Sequence, residues 1–239
     1  MQPVVRTILI SGASSGIGRA CAQALLQQGH HVIGLSRNCQ KFSTTHPRFQ
    51  AYEIDLSDLE ALPVKLKQLA KQFPAIDGII FSAGRGQFSS IEEFSYPQIQ
   101  ALINLNFISQ SFLAKAFLPS LKRKALADLI FIGSEAALQG SRKGSIYCAS
   151  KFAVRGFSQA LRDECAKSSV RVALINPGMV DTDFFQDLSF APGEHESHAL
   201  NANDVADAVS YIINARRGII IDEINLNPAN KVINFKKNQ

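Results

Sequence analysis

The residues best placed to do chemistry are Tyr147 and Lys151, in the run Tyr147-Cys148-Ala149-Ser150-Lys151. On a helix this spacing puts a phenol and an ammonium on one face. A phenol of ordinary pKa, about 10, exchanges protons poorly at neutral pH, and a neighbouring cation draws it toward a useful range. Upstream, Ser134 follows Phe131-Ile132-Gly133 and adds a hydroxyl able to hold an oxygen. The pair Tyr-x-x-x-Lys is common by itself. Its weight here comes from what precedes it.

Near the start of the chain, Ser11-Gly12-Ala13-Ser14-Ser15-Gly16-Ile17-Gly18 lies between an apolar run and an amphipathic one. Glycines at that junction permit a tight turn and let backbone N–H groups approach a pyrophosphate at the positive helix end. The spacing is G-x-x-x-G-x-G, not the more widespread G-x-G-x-x-G. Further on, Leu35-Ser36-Arg37-Asn38 carries no acidic residue where a free ribose 2′-hydroxyl would be bound. Arg37, helped by Ser36, suits a 2′-phosphate, which favours NADP(H). Asp55 fits either an adenine edge or a helix cap.

These groups need a scaffold. Short β-branched runs at 4–10, 31–35, 49–54, 78–82, 129–132, 170–175 and 219–225 alternate with helical patterns at 17–28, 56–72, 97–123, 147–166 and 202–214. Gly29, Ser57 and Asn203 mark helix boundaries. This alternation predicts an α/β fold: one Rossmann-like, doubly wound parallel sheet of about seven strands with helices on both faces, residues 1–239 forming a single domain. The irregular segment 183–200, rich in Phe, Pro, Gly, Glu and His, is expected to be a substrate lid.

Taken in order, SGASSGIG, Ser82-Ala83-Gly84, Asn106, Ser134, Tyr147 with Lys151, and Asn176-Pro177-Gly178 resemble the short-chain dehydrogenase/reductase family, single-domain type. The resemblance implies that Ser134 binds the substrate oxygen and Tyr147 passes the proton. Lys151 then holds the ribose hydroxyls and lowers the tyrosine pKa, while Asn106 anchors a water of the proton relay. It also implies cofactor contacts at Gly12, Ser14, Ser15, Gly16, Ile17 and Gly18, at Leu56, Ala83 and Gly84, and at Pro177, Gly178, Val180 and Thr182. Two positions depart from the family pattern. Ser11 replaces a threonine but keeps the hydroxyl, and Ser82 replaces an asparagine, so the central sheet must be braced differently. Ser15 stands where NADPH-using members often carry a basic residue, leaving Arg37 as the main phosphate handle.

Composition adds bounds. The 25 basic and 20 acidic residues leave a net charge of +5 on 239 residues, spread without a basic block. That is a solvated surface rather than a nucleic-acid face. The tail Phe235-Lys236-Lys237-Asn238-Gln239 is read as a fraying end. Four cysteines without paired spacing, and no long apolar leader, make a reduced cytoplasmic chain the expectation, with no membrane role. His195-Glu196-Ser197-His198 has the wrong spacing for H-E-x-x-H, so no metal is expected. Arg85, Arg142 and Lys143 are candidates for a substrate carboxylate, and Phe184, Phe185 and Phe190 for an apolar pocket.

The expected activity is NADP(H)-dependent hydride transfer between nicotinamide and a carbonyl or secondary alcohol. The ending Asn225-Leu226-Asn227-Pro228 suggests a small hydroxy acid. Alternatives are reduction of a 3-oxoacyl thioester, sugar or steroid-like ketone, or an idle NADPH-sensing protein. A sugar-nucleotide epimerase needs a larger carboxyl-terminal part than follows Thr182. The resemblance also implies a homodimer or homotetramer through the helices 97–123 and 147–166, where Ala149, Ala153 and Gly156 permit close approach.

Overall fold

The computed structural model describes residues 4–42 and 44–236. The end of the basic tail, residues 237–239, lies outside them. Strands β1 (Thr7–Ser11), β2 (His31–Ser36), β3 (Phe49–Glu53), β4 (Gly78–Phe81), β5 (Ala127–Ile132), β6 (Val170–Pro177) and β8 (Glu223–Leu226) build one seven-stranded sheet. Its order is β3-β2-β1-β4-β5-β6-β8, and every pairing is parallel. Chain direction across the sheet therefore reverses between β1 and β4. In an open parallel sheet such a switch point leaves a crevice at the carboxyl ends of the strands.

Helices α1 (Gly16–Gln27) and α6 (Ala202–Asn214) cover one face, with Leu25, Val209 and Ile213 meeting Ile8, Ile10 and Ile130. The other face carries α2 (Leu62–Gln72), α3 (Tyr96–Ile103) leading into α4 (Ser109–Leu121), and α5 (Ser145–Cys165). There Leu66, Phe117 and Leu161 pack on Leu9, Phe81 and Phe131. Burial on both faces explains why β5 and β6 are apolar almost throughout. The continuous stretch Tyr96–Leu121 is long and apolar enough, by length and composition, to cross a membrane. Its Leu102, Leu113, Phe117 and Leu121 are instead buried in this core.

Several boundaries differ from expectation. β1 starts at Thr7 because Val4 and Val5 are exposed, and β8 starts at Glu223, beyond the exposed Ile219 and Ile220. α2 begins at Leu62 rather than 56, with Pro63 in its first turn. Ser57 caps no helix, since its N–H and hydroxyl both donate to Asp55 Oδ1, at 2.9 and 2.6 Å. At α6 the cap is Asn201, not Asn203: Asn201 Oδ1 accepts from the N–H groups of Asn203 and Asp204, and Asp204 accepts from the Asn201 N–H. The helix expected at 97–123 is interrupted by a π turn at Asn104–Ile108.

The 183–200 segment is more regular than expected. Its strand β7 (Phe190–Pro192) pairs antiparallel with β9 (Ile233–Phe235) near the chain end. Lys236 Nζ donates to the Gln186 carbonyl at 2.9 Å, and Asn230 Nδ2 to Ser197 Oγ at 3.0 Å.

At the amino ends of the strands, Asp128 on β5 is 1% exposed and receives two arginines. Arg171 reaches it from β6 with Nε at 2.7 Å and Nη2 at 2.9 Å, and Arg6 with Nη1 at 3.0 Å. Arg6 also pairs with Asp77 at 3.0 Å. The cluster lies at the opposite edge from the crevice and ties β1, β5 and β6 together.

Candidate active site

The turn between β1 and α1 is shaped by backbone demands. Gly12 has φ +71°, and a Cβ there would stand 3.0 Å from the Ala83 Cα. A Cβ on Gly18 would collide with the Gly12 carbonyl oxygen, so the helix can start this close to the turn only with glycine. Gly16, with φ +47°, faces the Thr182 side chain, whose Cγ2 would be 3.4 Å from an added Cβ. The turn is thus flanked by 82–84 on one side and by Thr182 on the other. At the helix start, Ser15 makes no side-chain cap bond and the first turn holds no acidic residue. The leading N–H groups and the positive helix end are left to an anion.

The sheet is braced near Ser82 as the missing asparagine requires, by other groups. Ser11 Oγ accepts from the N–H groups of Ser82 at 3.1 Å and Ala83 at 3.2 Å, and Gln110 Nε2 donates to the Ala83 carbonyl at 3.0 Å. Arg19 was not singled out by sequence. Its Nε donates to the Ser14 carbonyl at 3.0 Å and Nη2 to the Lys41 carbonyl at 3.2 Å, fastening the turn to the segment after β2. Its position one residue past Gly18 is the signal that could have found it.

On the adenine side, Arg37 is exposed at the end of β2. Ser36 Oγ lies 3.4 Å from Cys39 Sγ. Asp55 serves the local turn: hydrogen bonds from the Ser57 hydroxyl and N–H hold its carboxyl below the usual carboxylate range, with Arg37 adding to the effect. Leu56, Val180 and the partly buried Ile17 pack their side chains into the core. Gly178 N–H donates to the Leu226 carbonyl at 2.7 Å, so the Pro177-Gly178 turn rests on the end of β8.

At the carboxyl end of β5, Ser134 is buried and its Oγ accepts from the Ala136 N–H at 3.1 Å, which leaves the hydroxyl hydrogen to donate toward the Tyr147 oxygen or a substrate oxygen in its place. Tyr147 and Lys151 lie in the first two turns of α5, both buried. Lys151 Nζ donates to the Ile132 carbonyl at 3.1 Å and stands 5.9 Å from the centre of the Tyr147 ring. Gly84 adjoins the same group: a Cβ there would be 3.2 Å from Asn106 Oδ1 and 3.9 Å from Lys151 Nζ. Asn106, in the π turn, is completely buried. Its Nδ2 donates to the Arg85 carbonyl at 3.0 Å and to Ser150 Oγ at 3.1 Å, and its Oδ1 accepts from the Arg85 N–H at 2.9 Å. Both amide hydrogens are engaged, so this side chain fixes the loop after β4 to the start of α5 rather than offering a free amide.

In this structure burial pushes the Tyr147 phenol up to about 12, against the opposing pull of the Ser134 hydroxyl. Burial likewise lowers Lys151 to about 8. The desolvation has a visible source. Phe88, which sequence did not single out, has its ring centre 4.9 Å from that of Tyr147, and Phe184 stands at 6.0 Å. Phe190 and Phe185 close the circle, at 5.1 Å from Phe88 to Phe190, 5.9 Å from Phe190 to Phe185 and 5.2 Å from Phe185 to Phe184. Arg85, Arg142 and Lys143 are exposed. His195 Nδ1 is 2.8 Å from Ser197 Oγ.

The Lys151 shift has a consequence for stability. Its folded pKa lies below the ordinary 10.5, so between about 8 and 10.5 the unfolded chain binds more protons than the folded one. Stability from this group therefore rises with pH across that window. The Cys21 thiol, which burial pushes up from 9.0 to about 12, acts in the opposite sense above 9, and the raised phenol does so above 10. Thermal melts from pH 8 to pH 9 should show the rise in the native chain and a flatter profile in Lys151→Met. Parallel profiles would show that Lys151 is not held in a desolvated state.

Together the crevice, the glycine turn and the buried Ser-Tyr-Lys group define a nucleotide-dependent oxidoreductase of open α/β type. The short chain dehydrogenase family model matches residues 6–192, and the chain belongs to that family. Curated relatives include uncharacterised oxidoreductases of Staphylococcus epidermidis, 28% identical over 93% of this chain and 97% of the relative, and of Staphylococcus aureus, 29% identical over 92% and 96%. Among solved structures, an alcohol dehydrogenase from the archaeon Thermococcus sibiricus complexed with 5-hydroxy-NADP is 25% identical, with a TM-score of 0.83 over 93% of this chain and 96% of that one. Serine dehydrogenase from Escherichia coli, also 25% identical, has a TM-score of 0.79 over 92% and 96%.

Proposed function

We propose that this oxidoreductase uses NADP(H) to interconvert a carbonyl and a secondary alcohol, with Tyr147 as the proton-transferring group. The observation that carries the reading is the convergence of Ser134, Tyr147 and Lys151 beside Gly84, at the switch point that also holds the glycine turn. The residues fit the cofactor. Gly12, Ser14, Ser15, Gly16, Ile17 and Gly18 offer a close backbone and an uncapped helix start to the pyrophosphate. Arg37 with Ser36 is assigned the 2′-phosphate, and Asp55 and Leu56 the adenine side. Ala83, Gly84, Pro177, Gly178, Val180 and Thr182 line the route toward Tyr147. When bound, the reduced nicotinamide supplies a hydride to the carbonyl carbon and is released oxidised.

The chain does the rest. Ser134 donates its hydroxyl hydrogen to the carbonyl oxygen, fixing the carbon within reach. Tyr147 gives that oxygen a proton as negative charge develops on it, and the Lys151 ammonium, 5.9 Å from the ring centre, is assigned to stabilise the phenolate. Lys151 has two N–H groups beyond the one on Ile132, for ribose hydroxyls and for the phenolate left behind. Asn106 positions the loop carrying Gly84 against α5. The 183–200 segment, strapped by β9, serves as the lid.

The NADP(H) preference agrees with the 5-hydroxy-NADP bound by the Thermococcus enzyme. Arg37→Asp tests it: the ratio of kcat/KM with NADPH to that with NADH should fall by about 10- to 100-fold, and an unchanged ratio would remove Arg37 from that role. Oxidation of NADPH across a panel of ketones, aldehydes and oxo acids tests the reaction class. The Escherichia coli neighbour is a serine dehydrogenase, which bears on the small hydroxy acid reading. In this chain, however, the 225–228 ending is used internally: Asn225 Oδ1 accepts from Asn176 Nδ2 at 2.9 Å, and Asn227 and Pro228 pack against Gly178.

A further inference from the structure

The surroundings of Tyr147 are those of a ring-binding site rather than an anion site. Five aromatic rings, Tyr147, Phe88, Phe190, Phe185 and Phe184, form a closed circuit of contacts drawn from three stretches of chain. The phenol is 6% exposed, so any carbonyl reaching it must displace part of that circuit. Phe184, half-buried in the 183–200 segment, packs with Phe88 and Phe190 against a small core of Met179, Phe185 and Leu188. Its ring presses on Gly86, where a Cβ would collide with the ring edge. The absence of a side chain at Gly86 thus leaves a flat slot between the loop after β4 and the Tyr147 ring, and Phe184 fills it.

The nearby charges are engaged or turned outward. Glu135, next to Ser134, is paired with Lys231 at 2.7 Å. Arg85, Arg142 and Lys143 are exposed. A carboxylate entering the aromatic circuit would lose hydration among apolar ring faces, with Lys151, the nearest cation, bound to the Ile132 carbonyl and assigned to the cofactor ribose, whereas a planar apolar ring would exchange Phe184 contacts for equivalent ones.

We infer that the substrates are ketones carrying an aromatic or similarly flat apolar ring beside the carbonyl, and that the ring occupies the Gly86 slot vacated by Phe184. This rests on the carbonyl-reductase reading above and narrows it. Gly86 and Phe184 then act on specificity in opposite directions. Filling the slot from the loop side excludes the ring; removing Phe184 takes away its competitor.

The test uses acetophenone and pyruvate as probes, with the native chain, Gly86→Ala and Phe184→Ala. The ratio of kcat/KM for acetophenone to that for pyruvate should exceed unity by about tenfold or more in the native chain. It should fall by about tenfold in Gly86→Ala and rise in Phe184→Ala. The dissociation constant of acetophenone on the NADP⁺-loaded protein, measured by ligand-observed NMR, should weaken and tighten in the same order. A preference for pyruvate, or one ratio shared by all three proteins, would overturn the ring slot and leave the reductase reading standing. If neither ketone oxidises NADPH, the wider panel of ketones, aldehydes and oxo acids decides the reductase reading. The dissociation constants then decide the slot alone: opposite shifts in the two variants support it, and equal constants overturn it.

Discussion

Tyr147→Phe is expected to lower kcat for carbonyl reduction by about two to four orders of magnitude, the range contributed by a positioned acid. The dissociation constant for NADPH should stay within about threefold. The substitution removes only the hydroxyl. The ring remains in its circuit with Phe88 and Phe184, and Lys151 keeps its bond to the Ile132 carbonyl. The loss therefore reports proton transfer rather than packing. Ser134→Ala should follow the same pattern with a smaller loss, because Tyr147 can still reach the oxygen that Ser134 no longer holds. Stopped-flow reduction together with cofactor titration separates the two quantities. Turnover in Tyr147→Phe within tenfold of the native rate would remove the phenol from the reaction.

The second large effect concerns stability and lies at the opposite edge of the sheet. Asp128→Ala leaves Arg6 and Arg171, each about 5% exposed, with no carboxylate between them. Removing one partner of a buried charge pair costs about 3–5 kcal/mol, because the remaining ions stay desolvated. For a domain whose total stability is about 5–15 kcal/mol, that is a large share. Denaturant melts should register the loss with the unfolding slope unchanged. Arg171 also donates to the Ile212 and Ala215 carbonyls at the end of α6, so the damage should extend to that helix. A change below about 1 kcal/mol would mean that water reaches the cluster when Asp128 is removed.

Much of this was legible in the sequence because it is local. Strand and helix alternation appears as hydrophobic period, and the glycine turn and Tyr-x-x-x-Lys each lie within one short segment. The parallel sheet then follows from connection rules. What was hidden depends on long separations. Phe88 meets Tyr147 only after β4, the π turn and α5 are in place, and no period or spacing announces that contact. Arg6 finds Asp128 122 positions away. The pairing of β7 with β9 joins two three-residue strands whose composition reads as loop. The burial of the phenol is legible only in part: Phe184, Phe185 and Phe190 read as an apolar pocket, but nothing announces Phe88, whose ring meets Tyr147 from the loop after β4.

The boundaries that shifted share a simpler cause. Ser57 is drawn into a turn with Asp55 while α2 starts five residues later without a side-chain cap, and Asn203 yields to Asn201, which is better placed for the same N–H groups. Asp55 takes both Ser57 donors, and Asn201 forms a reciprocal box with Asp204. Several polar residues stand near each terminus, and only the backbone path selects among them.

The central claim is that a hydride passes between nicotinamide and a carbonyl carbon while Tyr147 moves the proton. Its most direct measurement follows NADPH carrying deuterium at the transferable C4 position through turnover with a ketone, reading the product alcohol by mass spectrometry and NMR. The label is predicted on the carbinol carbon and the hydroxyl hydrogen from solvent, with formation of the labelled alcohol abolished in Tyr147→Phe. An unlabelled carbinol carbon, or labelled alcohol formed at the native rate without the phenol, would contradict it.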